Sequence, residues 1–257
     1  MTGERITVGV VTPHAAAGPE VELPDMTEGR VVTVISRTGS AAERPKTAKA
    51  SWRTAPPAHA GLRASTEPAA LDLAAVVFTG RTLAAVAHAS TTSGYVIGRR
   101  EEADLVERLS ERFDVPAVAS CAAAAAALRT HGVGRVQLVH PPWFDDEFDE
   151  LGAAYFRSQE VDAVVTTAVD LPHDPARVDP QRVIAWVEQH IEDRAEAVFL
   201  AGNGFRAARA VEELELRTGR LVLEANQALL WGILSATGTS CDVTRYGQLL
   251  RASTSLE

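Results

Sequence analysis

The chain has 257 residues, of which 46% are hydrophobic and 23% are charged, a composition typical of a soluble globular protein. Its formal net charge of −9 argues against a nucleic-acid partner and against binding to an anionic membrane surface. Cys121 and Cys241 allow at most one disulfide and have no metal-type spacing, and no apolar run reaches the roughly 18 residues of a membrane span. We therefore expect a cytoplasmic protein with no metal ion and no membrane partner.

Predicted strands and helices alternate along the chain. Short apolar, β-branched runs predict strands over residues 6–11, 31–35, 83–87, 115–119, 135–139, 162–168, 197–201 and 221–223. Helical spacing with start and stop signals predicts helices over residues 66–81, 101–113, 122–131, 145–159, 179–194, 206–218 and 227–236. This alternation favours an α/β fold with helices on both faces of a parallel sheet. Residues 40–65 have no clear period and are predicted to form a loop or lid.

Polar residues follow two of the predicted strands directly. Ser90, Thr91 and Thr92 come after one strand, and their hydroxyls, together with the N–H groups of the next helix, can donate to a carboxylate or an oxyanion. The run Gly202-Asn203-Gly204 follows another strand in the same way. Because ligands of open α/β sheets bind outside the carboxyl ends of the strands, we expect two similar lobes with these loops facing one cleft. The structural alternative is that the hydroxyl-rich loop only caps its helix.

An ordered set of motifs gives the chain a recognisable family resemblance. The motifs occupy residues 8–13, 90–92 followed by Gly98, 127–133, 143–146, 202–204, 224–231 and 246–250. No single motif is specific, but their order and spacing over nearly the whole chain are. The sequence resembles the arylmalonate decarboxylase and maleate isomerase branch of the aspartate/glutamate racemase superfamily.

The resemblance implies an α/β fold of two flavodoxin-like (Rossmann-like) lobes with parallel sheets and a central cleft. Residues 1–114 with 224–257 are expected to form the first lobe, and 115–223 the second. The resemblance also implies no cofactor and a small carboxylate substrate, held in a cage of backbone N–H groups and hydroxyls. It leaves the oligomeric state open, and a homo-oligomer is one of the alternatives.

Most members of this family use a cysteine in one or both lobes to move a proton or attack the substrate, and the sequence departs from that pattern. Ser90 stands at the first-lobe cysteine position and Gly202 at the second. Trp143 stands at the position of a tyrosine in the family's cage. Tryptophan keeps an aromatic ring and one hydrogen-bond donor but lacks the hydroxyl. The carboxylate cage therefore transfers to Thr91, Thr92 and the run Gly202-Asn203-Gly204, whereas the cysteine chemistry does not.

Four residues are candidates for the missing chemistry. His14 and His140 each follow a strand end, and imidazole titrates near neutral pH. Ser90 is a candidate nucleophile if a histidine lies within hydrogen-bond reach, and its alternative role is to cap the helix or bind carboxylate. Cys121 begins a predicted helix, where the helix N-terminus lowers a thiol pKa, although buried cysteines usually only pack.

Asn226 follows the last strand, and it is predicted to orient the substrate or, with Glu224, to cap the next helix. Taken together, the residues favour a cofactor-independent lyase or isomerase acting on a malonate- or maleate-like acid, most simply a decarboxylase that stabilises an enediolate. A racemase needs two opposed acid–base groups, which Ser90 and Gly202 cannot supply. The alternatives are a non-catalytic carboxylate-binding protein and a Ser/His hydrolase.

Overall fold

A computed structural model of the protein describes residues 5–38, 59–241 and 243–252. Eight strands and ten α-helices lie within these ranges. The strands are β1 Ile6–Thr12, β2 Val31–Arg37, β3 Ala85–His88, β4 Ala117–Ala119, β5 Arg135–His140, β6 Asp162–Ala168, β7 Ala197–Leu200 and β8 Leu221–Glu224. The helices are α1 Pro19–Met26, α2 His59–Thr66, α3 Pro68–Ala75, α4 Thr91–Phe113, α5 Ser120–Thr130, α6 Asp146–Ser158, α7 Pro180–Gln189, α8 Val211–Thr218, α9 Ala225–Thr237 and α10 Gln248–Ala252.

The strands form two four-stranded sheets in the orders β2-β1-β3-β4 and β6-β5-β7-β8. Every pair is parallel, so all strands of a sheet end at the same edge. This confirms the predicted α/β fold. The helix α9 packs its apolar residues Leu229, Leu230 and Ile233 against Val8 and Val10 of the first sheet.

One strand lies in a different sheet from the one predicted. Residues 115–119 were predicted to open the second lobe, but β4 pairs with β3, with Val86 opposite Ala117. A parallel neighbour needs a crossover connection, and α4 supplies it. The pairing thus assigns residues 117–119 to the first sheet, while the rest of the division into 1–114 plus 224–257 and 115–223 stays a prediction.

The predicted loop or lid over residues 40–65 is wrong at its end. Residues from His59 onward form α2, in which Leu62 is fully buried. A single buried leucine on a short helix gives no clear period, so the helix was not predicted. The other residues of this prediction, 40–58, lie outside the described residues.

Several helix boundaries also differ from the sequence prediction. The helix α4 begins at Thr91, not near residue 101, and Gly98 interrupts it with a φ of 75° and a ψ of 170°. The helix α5 begins at Ser120, two residues earlier than predicted, with Ala119 as its N-cap. The helix α1 was not predicted, although Pro19 at its start is a helix-start signal.

Among the described helices, none is both long and apolar enough to cross a membrane.

Candidate active site

The two loops predicted to face one cleft are in direct contact. The backbone N–H of Thr91 donates to Asn203 Oδ1 at 3.2 Å, and the N–H of Gly202 donates to Thr91 Oγ1 at 3.1 Å. The loops meet because β3 and β7 both end at the junction of the two sheets. The hydroxyl-rich start of α4 therefore contacts Asn203, which lies between two glycines in the loop after β7.

His14 lies at the same junction and reaches Ser90. Its Nε2 is 3.0 Å from Ser90 Oγ and 3.4 Å from Thr92 Oγ1. The guanidinium of Arg37 donates to the backbone oxygen of His14 at 2.8 Å, which holds this segment in place. Burial, assisted by the Arg37 charge, lowers the pKa of His14 to about 4. The imidazole is therefore neutral at pH 7, with one nitrogen that donates and one that accepts.

Ser90 is both a helix cap and the partner of His14. As the N-cap of α4, its Oγ accepts the Ser93 N–H at 3.0 Å. The same oxygen lies 2.8 Å from Ser93 Oγ and 3.2 Å from Thr92 Oγ1. The capping interpretation and the histidine-partner interpretation of Ser90 thus describe the same geometry.

His140 is placed in a buried chain of polar groups. Its Nδ1 lies 2.5 Å from Asp149 Oδ1, and its Nε2 lies 3.3 Å from the hydroxyl of Tyr95. Burial lowers the pKa of His140, and the Asp149 carboxylate partly offsets that effect. Both ring nitrogens are engaged by protein groups, so His140 fits a structural role better than the proton-donor role predicted for it.

Cys121 does not have the environment predicted for it. The thiol is fully buried and donates to the backbone oxygen of Thr91 at 3.3 Å. Burial raises its pKa well above the usual range, and the Glu102 carboxyl raises it further. The expected lowering of the pKa by the helix N-terminus is therefore wrong, because desolvation of the thiolate outweighs it.

Asn226 lies behind the loops. Its Nδ2 donates to Asn203 O at 2.9 Å and to Glu22 Oε2 at 2.6 Å. Glu224 is the N-cap of α9 and accepts from the N–H groups of Asn226 and Gln227, so the predicted capping role of Glu224 is confirmed. Asn226 is fully buried, and these bonds place it against the loop that carries Asn203.

The other cage candidates lie around this junction. Trp143 is half-buried and packs edge to face on Phe205, with ring centroids 6.0 Å apart. Gly204 lies beside the loop that carries His14, where a Cβ would meet Ala16 Cβ at 3.3 Å. Ser90 and Thr91 are fully buried in this structure.

Sequence reasoning missed Glu22 and His88. Glu22 is in the unpredicted helix α1, and its role depends on contacts with residues almost 200 positions away. His88 is fully buried two residues before Ser90, and neither ring nitrogen has a hydrogen-bond partner among the described residues. Burial, together with neighbouring His14, lowers the pKa of His88 to about 4. A histidine at the end of a buried strand was the available signal.

Two further features of the described residues bear on the site. A groove of about 730 Å³ lies away from the junction, between α3 and α4. Because acidic side chains line it, including Glu67, Asp72 and Glu101, it does not suit a carboxylate ligand. Within the ranges 5–38, 59–241 and 243–252, no group of three or more His, Cys, Asp or Glu side chains is arranged to hold a metal ion.

Solved structures of known proteins share this fold. A crystal structure of arylmalonate decarboxylase matches with a TM-score of 0.76 at 20% identity, over 95% of this chain and 99% of that chain. The maleate isomerase Iso from Pseudomonas putida S16 matches with a TM-score of 0.79 at 19% identity, over 97% and 100%. A Nocardia farcinica maleate cis-trans isomerase variant with a covalently bound succinylcysteine intermediate matches with a TM-score of 0.80 at 20% identity, over 97% and 99%.

Sequence comparisons give one partial match and one family. Histidinol-phosphate aminotransferase 1 of Psychrobacter arcticus is 30% identical over 127 residues, which are 48% of this chain. The chain spans only about a third of that curated relative, 33% of its length, so the aminotransferase activity is not carried over. The family described as arylmalonate decarboxylase matches residues 67–250. Since that match covers well over half of the residues and agrees with the shared fold, the chain belongs to the arylmalonate decarboxylase family.

Proposed function

We propose that the protein is a cofactor-independent lyase that decarboxylates a small malonate-like dicarboxylate, with Ser90 and His14 delivering the proton. The observation that carries the proposal is the 3.0 Å contact between His14 Nε2 and Ser90 Oγ, beside the junction of Thr91 and Asn203. Family membership adds support, because relatives of this fold are named as a decarboxylase and as maleate isomerases.

The first step is cleavage of the bond between the α-carbon and one carboxylate. Carbon dioxide leaves, and the electron pair of the broken bond forms an enediolate with the remaining carboxylate. The hydroxyl of Thr91 accepts the Gly202 N–H and keeps its own hydrogen, which can donate to an enediolate oxygen. Donors fixed in a buried site stabilise such a charge more than donors in water do.

The second step is protonation of the α-carbon. The Ser90 hydroxyl gives its proton to the carbon, and the neutral imidazole of His14 passes a replacement proton from water to the serine oxygen. Each turnover thus converts a dicarboxylate and one proton into a monocarboxylate and carbon dioxide.

Proton delivery from one side distinguishes this reaction from those of other relatives. Gly202 reaches the junction from the loop after β7 and has no side chain, so this position supplies no acid–base group opposite Ser90. A racemase needs such a pair. Isomerisation through a covalent thiolate needs an accessible cysteine, and Cys121 is fully buried with a raised pKa. Decarboxylation requires neither.

The test is turnover of a panel of substituted malonates and maleate in D2O, followed by NMR. We expect carbon dioxide release with one deuterium incorporated at the α-carbon. Ser90→Ala and His14→Ala are each expected to lower kcat by about 100-fold or more. His190→Ala is the matched control, because the imidazole of that exposed histidine stacks on Trp186 and bonds to Trp186 O, away from the junction.

Two results would replace the proposal. Carboxylate binding without turnover across the panel would identify a binding protein. Covalent labelling of Ser90 by an activated ester, lost in His14→Ala, would identify a Ser/His hydrolase, which the 3.0 Å contact also allows. Full activity of Ser90→Ala would refute the role of Ser90 as proton donor.

A further inference from the structure

Glu22 connects the two sheets from behind the candidate site. It lies on α1, beside the first sheet, and is 6% exposed. Its Oε1 accepts the backbone N–H of Ala208 at 3.0 Å, and its Oε2 accepts from Asn226 Nδ2 at 2.6 Å. Ala208 follows the run 202–204 closely in sequence, so the carboxylate is tied to the same segment that carries Asn203.

Two side-chain amides continue the connection toward the loop of Thr91. Asn226 Oδ1 accepts from Asn203 Nδ2 at 2.8 Å, and Asn203 Nδ2 also donates to Ser120 Oγ at 3.0 Å. Asn203 Oδ1 in turn accepts the Thr91 N–H at 3.2 Å. Both amides use their donor and acceptor ends, and both are fully or almost fully buried, with Asn203 only 1% exposed.

The orientation of each amide follows from the group before it. Burial raises the pKa of Glu22 to about 7. In its ionised form the carboxylate only accepts hydrogen bonds, here from Ala208 and Asn226, so it requires the NH2 end of Asn226 to face it. The oxygen of Asn226 must then face Asn203, which turns the NH2 end of Asn203 away from the loop. Only this orientation presents an oxygen to the Thr91 N–H. Reversal of any member places two donors or two acceptors together, and a buried polar group without a partner is costly.

We infer that Glu22 is a positioning residue that sets the polarity of the Asn226–Asn203 chain and thereby fixes Thr91 at the cleft. The hydrogen-bond polarity stands independently of any activity. Its catalytic consequence rests on the proposed function, in which the Thr91 hydroxyl donates to the enediolate. Glu22 acts through these three residues and does not touch the substrate.

The direct test is hydrogen exchange of the Thr91 amide, measured by NMR. Glu22→Gln keeps the size of the side chain but adds a donor, and we expect exchange at Thr91 to become at least about tenfold faster, as for loss of one buried hydrogen bond. Glu107→Gln removes the same charge from an exposed position on α4 and is expected to leave Thr91 unchanged. A purely space-filling role for Glu22 predicts no change in either variant.

A double variant tests polarity itself. In Glu22→Gln with Asn226→Asp, donor and acceptor are exchanged across the 2.6 Å contact, but the bond from Asn226 Nδ2 to Asn203 O is lost. The double variant is therefore expected to regain only part of the protection lost in Glu22→Gln. Unchanged exchange at Thr91 in Glu22→Gln overturns the inference, as does a double variant that exchanges faster than the single one. If Glu22→Gln does not fold, recovery of folding in the double variant supports the inference, and failure of both variants overturns it.

Activity measurements separate this inference from the proposed function. If the wild-type protein decarboxylates a member of the malonate panel, Glu22→Gln should lower kcat in parallel with the loss of protection at Thr91. If the wild-type protein turns over nothing, the proposed function fails, yet the exchange experiment still decides the role of Glu22.

Discussion

The buried carboxyl of Glu102 gives a quantitative test of the structure. Glu102 lies on α4 and is 1% exposed, and one of its oxygens, Oε1, has no hydrogen-bond partner among the described residues. Burial raises its pKa from 4.5 to about 7, although the hydroxyl of Tyr155 and the backbone N–H groups of Ala122 and Cys121 partly offset the effect. The perturbation that we consider is Glu102→Gln, which is neutral at every pH.

The sign of the effect follows from proton binding. Between pH 4.5 and pH 7 the native state keeps the Glu102 proton and the unfolded chain releases it. The native state therefore binds more protons, and this group makes the free energy of unfolding fall as the pH rises. A pKa raised from 4.5 to about 7 corresponds to about 3 kcal/mol above pH 7. Glu102→Gln should match the wild-type protein near pH 4.5 and exceed its stability progressively up to about pH 7.

The assay is urea denaturation at several pH values between 5 and 8, monitored by tryptophan fluorescence. Glu107→Gln, on the same helix but exposed, controls for the change in net charge. Taking the difference between the two variants cancels the titration of every other group that they share. A difference that stays constant from pH 5 to pH 8 would show that Glu102 titrates normally, and the buried, partly unpartnered carboxyl would then be refuted.

Two further predictions concern the packing of loops at the junction and the burial of the Cys121 thiol. In Gly18→Ala the new Cβ would lie 1.9 Å from the backbone oxygen of Asn203, so we expect the free energy of unfolding to fall by at least about 2 kcal/mol. In Gly204→Ala the new Cβ would lie 3.3 Å from Ala16 Cβ, so the free energy of unfolding should fall by less. Equal stability of the two variants by urea denaturation would contradict the packing of these loops. The Cys121 thiol, fully buried and with a raised pKa, should resist alkylation at pH 8 in the folded protein and react after unfolding, and mass spectrometry of the Cys121 peptide checks this.

The general arrangement of the site was predictable because it depends on strand order and chain direction. Alternating strands and helices predict parallel sheets, and parallel strands end at one edge. The contact between Thr91 and Asn203 joins the two sheets, so it follows only with the further expectation that two similar lobes turn these loops toward each other. The position of His14 beside Ser90 follows in the same way, since β1 and β3 are neighbours in the sheet.

The details that failed depend on contacts between distant residues. The sheet to which β4 belongs is decided by its pairing with β3, and the apolar run over residues 115–119 does not reveal that pairing. The role of Glu22 requires Asn226, which is 204 residues away. Cys121 was misjudged because the helix N-terminus is visible in sequence, whereas the burial that raises the thiol pKa is not.

Among the described residues, two with buried polar atoms that have no hydrogen-bond partner lie close in sequence to residues of this junction. His88, two residues before Ser90, has two such ring nitrogens, and Glu224, two residues before Asn226, has one such oxygen. Burial, then the nearby Glu22 carboxylate, raises the pKa of Glu224 well above its usual range, and burial raises the pKa of Glu22 to about 7. Of the two carboxyls, Glu224 therefore holds its proton more tightly, and Glu22 is the one that ionises first and accepts from Asn226. Each such group lowers stability, and proteins retain such local conflicts mainly where a site requires them. Replacement of His88 by leucine should therefore raise the free energy of unfolding but disturb His14. A gain in stability together with a loss at His14 is expected if His88 serves the candidate active site, and not if it is an ordinary core residue.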